Sequence, residues 1–312
     1  MDAPKKVIVF GSTGFIGRCV VQSLLREGYH VVAVMRDGCG AARLDIAVYN
    51  YASLSFVEGS IDDDVFVQRV CLGADYIINL IGILYETPKQ NFMAVHADFP
   101  ARLSKWATQA GVQRLIHISA IGADVHAPAR YAQSKGLGEE AARAHFSGIT
   151  ILRPSIVIGP QDSFFNRFAE MTNFMPMLPL IGGGHTQFQP VYVQDVVRAI
   201  IHVMRDQKTI GQCYELGGPE RYSFKQLMAM LLQIMGRRRL LVPVPWCVAM
   251  LLGNISQILT NLFLLPPIIT TDQVLLLRND NCVSDNALSF NDLGLTPTPI
   301  TQIMPTYLPK KN

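Results

Sequence analysis

Charged residues are scarce in this chain of 312 residues, since Asp, Glu, Lys and Arg together make up only 16% of it. About 25% is usual for soluble domains. Hydrophobic residues make up 49% and the mean hydropathy is +0.24, which excludes an intrinsically disordered chain. This composition predicts that part of the surface is covered by another subunit or lies against a membrane.

The sequence also lacks a long basic run, paired cysteines and metal-ligand spacings. Lys+Arg 27 against Asp+Glu 24 leaves a formal charge of +3, so nucleic acid is not an expected partner. The six cysteines include no Cys-x-x-Cys pair and have no histidine at ligand spacing, so we expect reduced thiols and no metal. An apolar strand beginning at about Lys5 leaves no room for a signal peptide, and we expect a cytoplasmic protein.

Short β-branched runs alternate with longer amphipathic stretches between residues 5 and 155. The alternation predicts an α/β fold, a Rossmann-type doubly wound parallel sheet with helices on both faces. Apolar residues at successive positions indicate strands that are buried on both sides. Six strands are predicted at 7–10, 31–34, 55–57, 76–79, 115–118 and 149–152, with helices near 15–27, 62–72, 91–110 and 128–146.

Frequent prolines after residue 155 break the chain into shorter elements, including predicted helices near 193–206 and 223–235. We therefore predict a Rossmann domain over residues 1–155. A smaller C-terminal lobe, interleaved with the edge of the sheet, is predicted over residues 156–312.

An uncharged stretch, residues 240–271, stands out within this lobe. Asn254, Gln257 and Asn261 would share one face of a helix whose other residues are apolar. This pattern favours an interfacial or docking helix over a membrane span. A core helix with an uncharged exposed stripe is the alternative.

A glycine motif follows the first predicted strand and opens the first predicted helix. Its three glycines permit a tight turn, a close approach of the backbone to a pyrophosphate, and close packing of helix on strand. The start of the helix also presents N–H groups to phosphates. The motif predicts a dinucleotide site, in which the cofactor-binding residues are Gly11, Ser12, Thr13, Gly14, Phe15, Ile16 and Gly17.

The type of dinucleotide is indicated by Arg36, at the end of the second strand. A guanidinium at this place suits a 2′-phosphate, so NADPH is favoured over NAD. The Gly-x-x-Gly-x-x-Gly spacing resembles the short-chain dehydrogenase/reductase superfamily, in particular its extended and atypical branches. In that superfamily an Asp after the third strand contacts adenine. Here Ser60, followed by Ile61, takes its place, which predicts an altered adenine contact.

The run Tyr131-Ala-Gln-Ser-Lys135 resembles the Tyr-x-x-x-Lys motif of the superfamily, with both side chains on one helical face. The lysine can lower the pKa of the tyrosine and hold the nicotinamide ribose, so that the phenol acts as an acid or base. A ribose clamp without chemistry is the alternative. Ser119 is the candidate third member, although the strand end aligns Ala120 with the usual position. Tyr131, Lys135 and Ser119 are also predicted to bind the cofactor. Because Ala120 takes the usual place of the third catalytic residue, we interpret the catalytic set as incomplete.

Longer segments are similar to the family of the nucleotide-binding accessory subunit of respiratory complex I. They include Asn79-Leu-Ile-Gly82, Leu152-Arg-Pro-Ser-Ile-Val-Ile-Gly-Pro160, Tyr214-Glu-Leu-Gly-Gly-Pro219 and Pro266-Pro-Ile-Ile-Thr-Thr-Asp-Gln-Val274. The resemblance covers nearly the whole chain. The residues within these segments that are counted as cofactor-binding are Leu80, Ile81, Gly82 and Pro154.

The resemblance implies an NADPH-binding subunit, without turnover of its own, that acts in the assembly or stability of complex I. Its partners would be complex I subunits or assembly intermediates, with a membrane surface or quinone as further candidates. A bacterial member would lie on the inner face of the plasma membrane, and a mitochondrial one on the matrix side. An active NAD(P)-dependent reductase or epimerase and a factor in ubiquinone biosynthesis are the alternative functions.

Overall fold

A computed structural model of the chain describes residues 4–36, 53–263, 267 and 269–309. Its first half contains all six predicted strands, and five of them are largely buried because apolar side chains point to both faces of the sheet. The prediction of burial on both faces was wrong for the third strand, which lies at an edge of the sheet and leaves Phe56 exposed. Their bounds are β1 Lys6–Phe10, β2 His30–Met35, β3 Leu54–Glu58, β4 Tyr76–Asn79, β5 Arg114–Ile118 and β6 Thr150–Pro154.

Four helices of the first half flank these strands: α1 Phe15–Arg26, α2 Asp64–Cys71, α3 Phe99–Gln109 and α4 Arg130–His145. The α2 helix begins where the carboxylate of Asp63 accepts hydrogen bonds from two backbone N–H groups. The prediction of one continuous helix over 91–110 was wrong in one respect. A π-helical turn at Ala94–Asp98 precedes α3. His96 lies in this turn and is buried.

The second half contributes shorter elements. The strands are β7 Val157–Ile158, β8 Met177–Ile181, β9 Gln187–Phe188, β10 Val191–Tyr192, β11 Cys213–Leu216, β12 Tyr222–Ser223 and β13 Leu240–Val244. The helices are α5 Phe165–Phe174, α6 Val193–Arg205, α7 Phe224–Ile234, α8 Trp246–Phe263, α9 Thr271–Leu276 and α10 Ile300–Tyr307.

The central sheet has seven parallel strands in the order β3-β2-β1-β4-β5-β6-β11. The predicted Rossmann-type fold is therefore confirmed. Its seventh strand, β11, comes from the second half of the chain, whereas the boundary predicted at residue 155 stays a prediction. The strand order reverses at β1, whose neighbours are β2 and β4, and dinucleotides bind at such a switch point.

A buried arginine links the central strands to the second half of the chain. The Nη2 atom of Arg114 on β5 donates to the hydroxyl of Thr150 (3.2 Å), to the hydroxyl of Thr209 (2.7 Å) and to the carbonyl of Val203. Thr209 follows α6, which packs on the sheet. A separate apolar cluster around Phe165, Leu227 and Leu231 forms the core of the second half.

The uncharged helix α8 packs on α9 through its small and polar residues. A Cβ at Gly253 would lie 2.9 Å from the backbone N of Thr271, and the hydroxyl of Thr271 donates to Gln257 Oε1 at 3.2 Å. The apolar face of α8 is solvent-exposed in the isolated chain, at Val248, Leu251, Leu252 and Ile255. No helix among the described residues is long and apolar enough to cross a membrane.

Candidate functional site

The glycine motif forms a tight cradle at the switch point of the sheet. Gly11 has a φ of +79°, and a Cβ there would lie 3.0 Å from the carbonyl carbon of Leu80 and 3.2 Å from the N of Ile81. A Cβ at Gly17 would lie only 2.1 Å from the carbonyl oxygen of Gly11. The backbone N–H of Gly14 donates to that same oxygen at 3.1 Å. Only glycine fits at positions 11 and 17, so the first turn of α1 closes onto the loop as phosphate binding requires.

Side chains of the same motif anchor the cradle to its surroundings. The buried Ser12 hydroxyl donates to the carbonyl of Val34 at 2.9 Å and so ties the loop to β2. The ring of Phe15 lies 3.2 Å from a Cβ built at Gly159, and Ile16 packs against the apolar core. Thr13 is partly exposed beside them.

Lys135 is buried where β4, β5 and α4 meet. Its Nζ donates to the carbonyl of Ile118 at 3.3 Å, next to Ser119, and lies 3.3 Å from a Cβ built at Gly82. Burial lowers the pKa of this ammonium to about 8, although the carboxylate of Glu139 acts in the opposite direction. The structure therefore brings together four of the predicted residues: Gly82, Ser119, Lys135 and, one helical turn away, Tyr131.

Tyr131 lies beside an acidic residue from the C-terminal half. The carboxylate of Asp272 on α9 accepts hydrogen bonds from the backbone N–H groups of Arg130 and Tyr131, the latter at 3.0 Å. Desolvation, followed by the charge of Asp272, raises the pKa of the phenol to about 12. This shift opposes the lowered pKa that an acid–base tyrosine requires.

A buried histidine pair, which the sequence interpretation treated as isolated residues, lies next to Lys135. The Ser134 hydroxyl donates to the carbonyl of Tyr131, so it accepts from Nδ1 of His96, whose Nε2 accepts the N–H of Ile83 at 3.0 Å. Burial, with a further effect of the Lys135 charge, lowers the pKa of His96 to about 2. His96 is therefore neutral and fully hydrogen-bonded.

His117 carries an unpaired donor. The Oδ1 atom of Asn79 accepts the N–H of Ile81 (3.1 Å), so the amide group of Asn79 donates to Nδ1 of His117 (3.1 Å) and leaves the proton of His117 on Nε2. Burial lowers the pKa of His117 to about 3. Its Nε2 and the Oγ of Ser119 are both buried, and neither has a hydrogen-bond partner among the described residues.

These observations fit a dinucleotide. The glycine cradle suits a pyrophosphate, and unpaired polar atoms beside the buried Lys135 suit the hydroxyls of a ribose or the amide of a nicotinamide. Buried polar atoms normally have partners, which is why two unpaired atoms at the end of β5, near Lys135, indicate a ligand site.

The predicted adenine side is less complete. Arg36 is exposed directly after β2, where the neighbouring backbone N–H of Gly59 donates to the carbonyl of Met35 at 3.0 Å. The Ser60 hydroxyl is exposed and bonds within its own loop, accepting the N–H of Asp62 at 3.1 Å. The carbonyl of Ile61 accepts from Arg102 at 3.0 Å. Residues 37–52, which follow Arg36, lie outside the described residues.

A segment beyond α9 crosses the same edge of the sheet. The carbonyl of Pro154 accepts the N–H of Ile121, and the carbonyl of Ile121 in turn accepts from Asn281 Nδ2 at 3.4 Å. The Ser155 hydroxyl donates to Asn281 Oδ1 at 2.7 Å. Asn281 and Asp272 therefore border the site, although the sequence interpretation assigned neither. Among the described residues, no group of three His, Cys, Asp or Glu side chains could hold a metal ion.

The comparisons with known proteins agree with this geometry. The model of the NAD dependent epimerase/dehydratase family matches residues 7–217. A relative from Arabidopsis thaliana, the mitochondrial NADH dehydrogenase (ubiquinone) 1 alpha subcomplex subunit 9, is 34% identical over 93% of this chain and 73% of its own length. The mouse (Mus musculus) protein of the same name is 31% identical over 94% and 76%. Among solved structures, the dTDP-glucose 4,6-dehydratase DesIV from Streptomyces venezuelae with NAD bound has a TM-score of 0.73 at 20% identity, covering 97% of this chain and 95% of that one.

Proposed function

Because the chain belongs to the NAD dependent epimerase/dehydratase family, and within it to the family of NADH dehydrogenase alpha subcomplex subunit 9, we propose that it is a nucleotide-binding accessory subunit of respiratory complex I. In this role it supports the assembly or stability of the complex and turns over no substrate of its own. A nucleotide held in the glycine cradle adds to the stability of the folded chain, because it binds the native state alone.

The observation that carries the absence of turnover is the contact of Asp272 with the start of α4. Its carboxylate accepts a hydrogen bond from the backbone N–H of Tyr131, and desolvation of the phenol, followed by the charge of this carboxylate, raises the pKa of Tyr131. A tyrosine that must deprotonate or donate near neutral pH needs the opposite shift. Lys135 remains buried next to Gly82, so the arrangement favours holding a nucleotide over acid–base catalysis.

We propose NADPH as the nucleotide, with Arg36 as the ligand of its 2′-phosphate. Arg36→Ala is expected to weaken NADPH binding about 10- to 100-fold, since hydrogen bonds to charged groups contribute about 1.5–3 kcal/mol. NADH binding should be unchanged. Fluorescence titration of both nucleotides tests this, with the exposed Arg69→Ala on α2 as the matched control. An equal loss for NADH and NADPH would contradict the assignment.

We propose further that the chain is a peripheral protein on the inner face of a bacterial plasma membrane, or on the matrix side in a mitochondrion. The exposed apolar face of α8 supports a peripheral attachment through complex I subunits, because a soluble monomer rarely leaves such a face uncovered. Quinone is the small-molecule candidate for the same face. The division into a Rossmann domain over 1–155 and a lobe over 156–312 is kept as part of this proposal.

Native electrophoresis of mildly solubilised membranes from the source cells tests the complex I association. The chain is expected to migrate with the band that oxidises NADH. The double variant Leu251→Ser, Leu252→Ser should lower the co-migrating fraction at least about tenfold. Each of these exposed leucines would become buried in the complex, and burying a leucine side chain contributes about 1.5–3 kcal/mol.

Leu72→Ser, an exposed position on the opposite half of the chain, is the control and should co-migrate like the wild type. Recovery of the chain only as a free monomer or dimer would contradict the accessory role and favour an active reductase or epimerase. Loss of quinone on deletion of the chain, with complex I intact, would favour the role in quinone biosynthesis instead.

A further inference from the structure

Four apolar side chains are exposed at one end of the β8–β13 ladder. Phe174 is 89% exposed, Leu240 68%, and Met175 and Met177 40% each. Leu240 pairs with Met177 in the ladder, while Phe174 is the last residue of α5 and Met175 directly follows it. These four residues are called the apolar tip. Their clustering matters because single exposed apolar residues are common, whereas a contiguous group marks an interaction site.

Three consecutive arginines border the apolar tip. Arg237 donates to the hydroxyl of Thr172 at 2.7 Å and to Asn173 Oδ1, and Arg239 donates to the carbonyl of Thr172 at 2.9 Å. These bonds hold both guanidinium groups at the end of α5, directly before Phe174. Arg238 is exposed. Together with Asn173 and Gly236, the three arginines line an open cleft of about 440 Å³.

The charge around the apolar tip is positive. The three arginines at its border carry this charge, and the sequence around them, residues 221–271, contains no Asp or Glu. Glu170, exposed one helical turn before Phe174, is the acidic residue on this part of α5. A partner for this surface must therefore accept apolar side chains and offer negative charge beside them.

We infer that the apolar tip and its arginines form a docking surface for an anionic lipid membrane. Phe, Leu and Met side chains insert at the boundary between headgroups and acyl chains, and adjacent arginines bind lipid phosphates. The guanidinium groups of Arg237 and Arg239 are held beside the apolar side chains, directly before Phe174, so the arginines can stay at the phosphates while the apolar side chains enter the acyl region. The inference deepens the proposed peripheral role, on which it rests, by assigning the surface that meets the membrane.

Sedimentation of the purified full-length chain with vesicles tests the surface in the absence of complex I. The wild type should bind phosphatidylcholine vesicles containing 30% phosphatidylglycerol at least about tenfold more tightly than pure phosphatidylcholine vesicles. Phe174→Ser and Leu240→Ser should each weaken binding to the anionic vesicles at least about fivefold. Arg238→Gln should weaken it about fivefold, since each basic group near such a surface contributes about a factor of five.

Two matched controls keep the test specific. Leu72→Ser removes an exposed leucine and Arg69→Gln removes an exposed arginine, and both positions lie in the other half of the chain. Both variants should bind the vesicles like the wild type. Equal wild-type binding to neutral and anionic vesicles would overturn the inference. So would unchanged binding of Phe174→Ser and Leu240→Ser, or loss confined to the α8 variant Leu251→Ser, Leu252→Ser. Because the assay contains no complex I, such a failure leaves the accessory role standing.

Discussion

Gly17→Ala is expected to abolish nucleotide binding and to destabilise the chain. The added methyl group would lie 2.1 Å from the carbonyl oxygen of Gly11 and 2.8 Å from the carbonyl carbon of Ser12. Both contacts are with backbone, so α1 has to move away from the loop. Overpacking of this kind costs about 1–3 kcal/mol of folding free energy. The same movement withdraws the N–H groups at the start of α1 from the pyrophosphate.

We expect an affinity loss for NADPH of at least about 100-fold, equivalent to about 2.7 kcal/mol. Fluorescence titration measures the affinity, and urea unfolding measures the stability. Gly148→Ala is the control, because a Cβ there would meet the side chain of Ile210 at 3.2 Å, and a side chain can shift where backbone cannot. If Gly17→Ala bound NADPH within threefold of the wild type, the glycine cradle would not be the phosphate site.

Lys135→Met is expected to weaken NADPH binding strongly while stabilising the nucleotide-free chain. The ammonium is buried with one hydrogen bond, to the carbonyl of Ile118, and its pKa is lowered to about 8 from the ordinary 10.5. Below pH 8 the folded and the unfolded chain both carry this proton, so the full penalty for burying the charge is present. Between about pH 8 and 10.5 the unfolded chain holds the proton and the folded chain does not, so this group makes the free energy of unfolding rise with pH.

Up to pH 9.5 the rise amounts to roughly 2 kcal/mol, because it covers about 1.5 pH units above the lowered pKa and one unit corresponds to about 1.4 kcal/mol. This rise in the free energy of unfolding should be missing in Lys135→Met. Other buried groups also titrate in this range, such as Cys71, whose pKa is raised to about 12. Their effect is the same in both proteins, so the difference between the two curves gives the contribution of Lys135 alone. Urea unfolding at pH 7 to 9.5 measures the difference. Lys105→Met, on the exposed side of α3, should retain the wild-type pH dependence. If the free energy of unfolding changed with pH in the same way in the wild type and in Lys135→Met, burial of the ammonium would carry no penalty and the prediction would be wrong.

The strands and the glycine cradle were predictable because their signals are local. Six apolar runs identify the six strands, five of which are largely buried while β3 is a partly exposed edge strand, and the cradle follows directly from the spacing of three glycines between a strand and a helix. The exposed apolar side of α8 also follows from helical periodicity. Gln257 was expected to share one polar face of the helix with Asn254, and the contact of this face with α9 was not predictable, because the partner Thr271 is supplied by the next helix.

The remainder of the site depends on contacts that leave no periodic pattern. Asp272 reaches the backbone of Tyr131 across 141 residues, and only the folded chain brings the two together. A local signal did exist for the start of α9, since Thr270 and Gln273 form a capping box. His117 also had a signal, because a histidine within a strand predicted to be buried on both faces must find a partner or a ligand.

The pairing of β11 with β6 affects the order in which the chain folds during synthesis. A nascent chain that has emerged only as far as residue 155 contains six strands, but the outer edge of β6 has no partner and Arg114 lacks its bond to Thr209. An open strand edge and an unpaired buried guanidinium make such an intermediate prone to aggregation. The ribosome must therefore add about 60 further residues before the sheet closes, at roughly 5–20 residues per second. Protection of that edge over several seconds is a task for a chaperone.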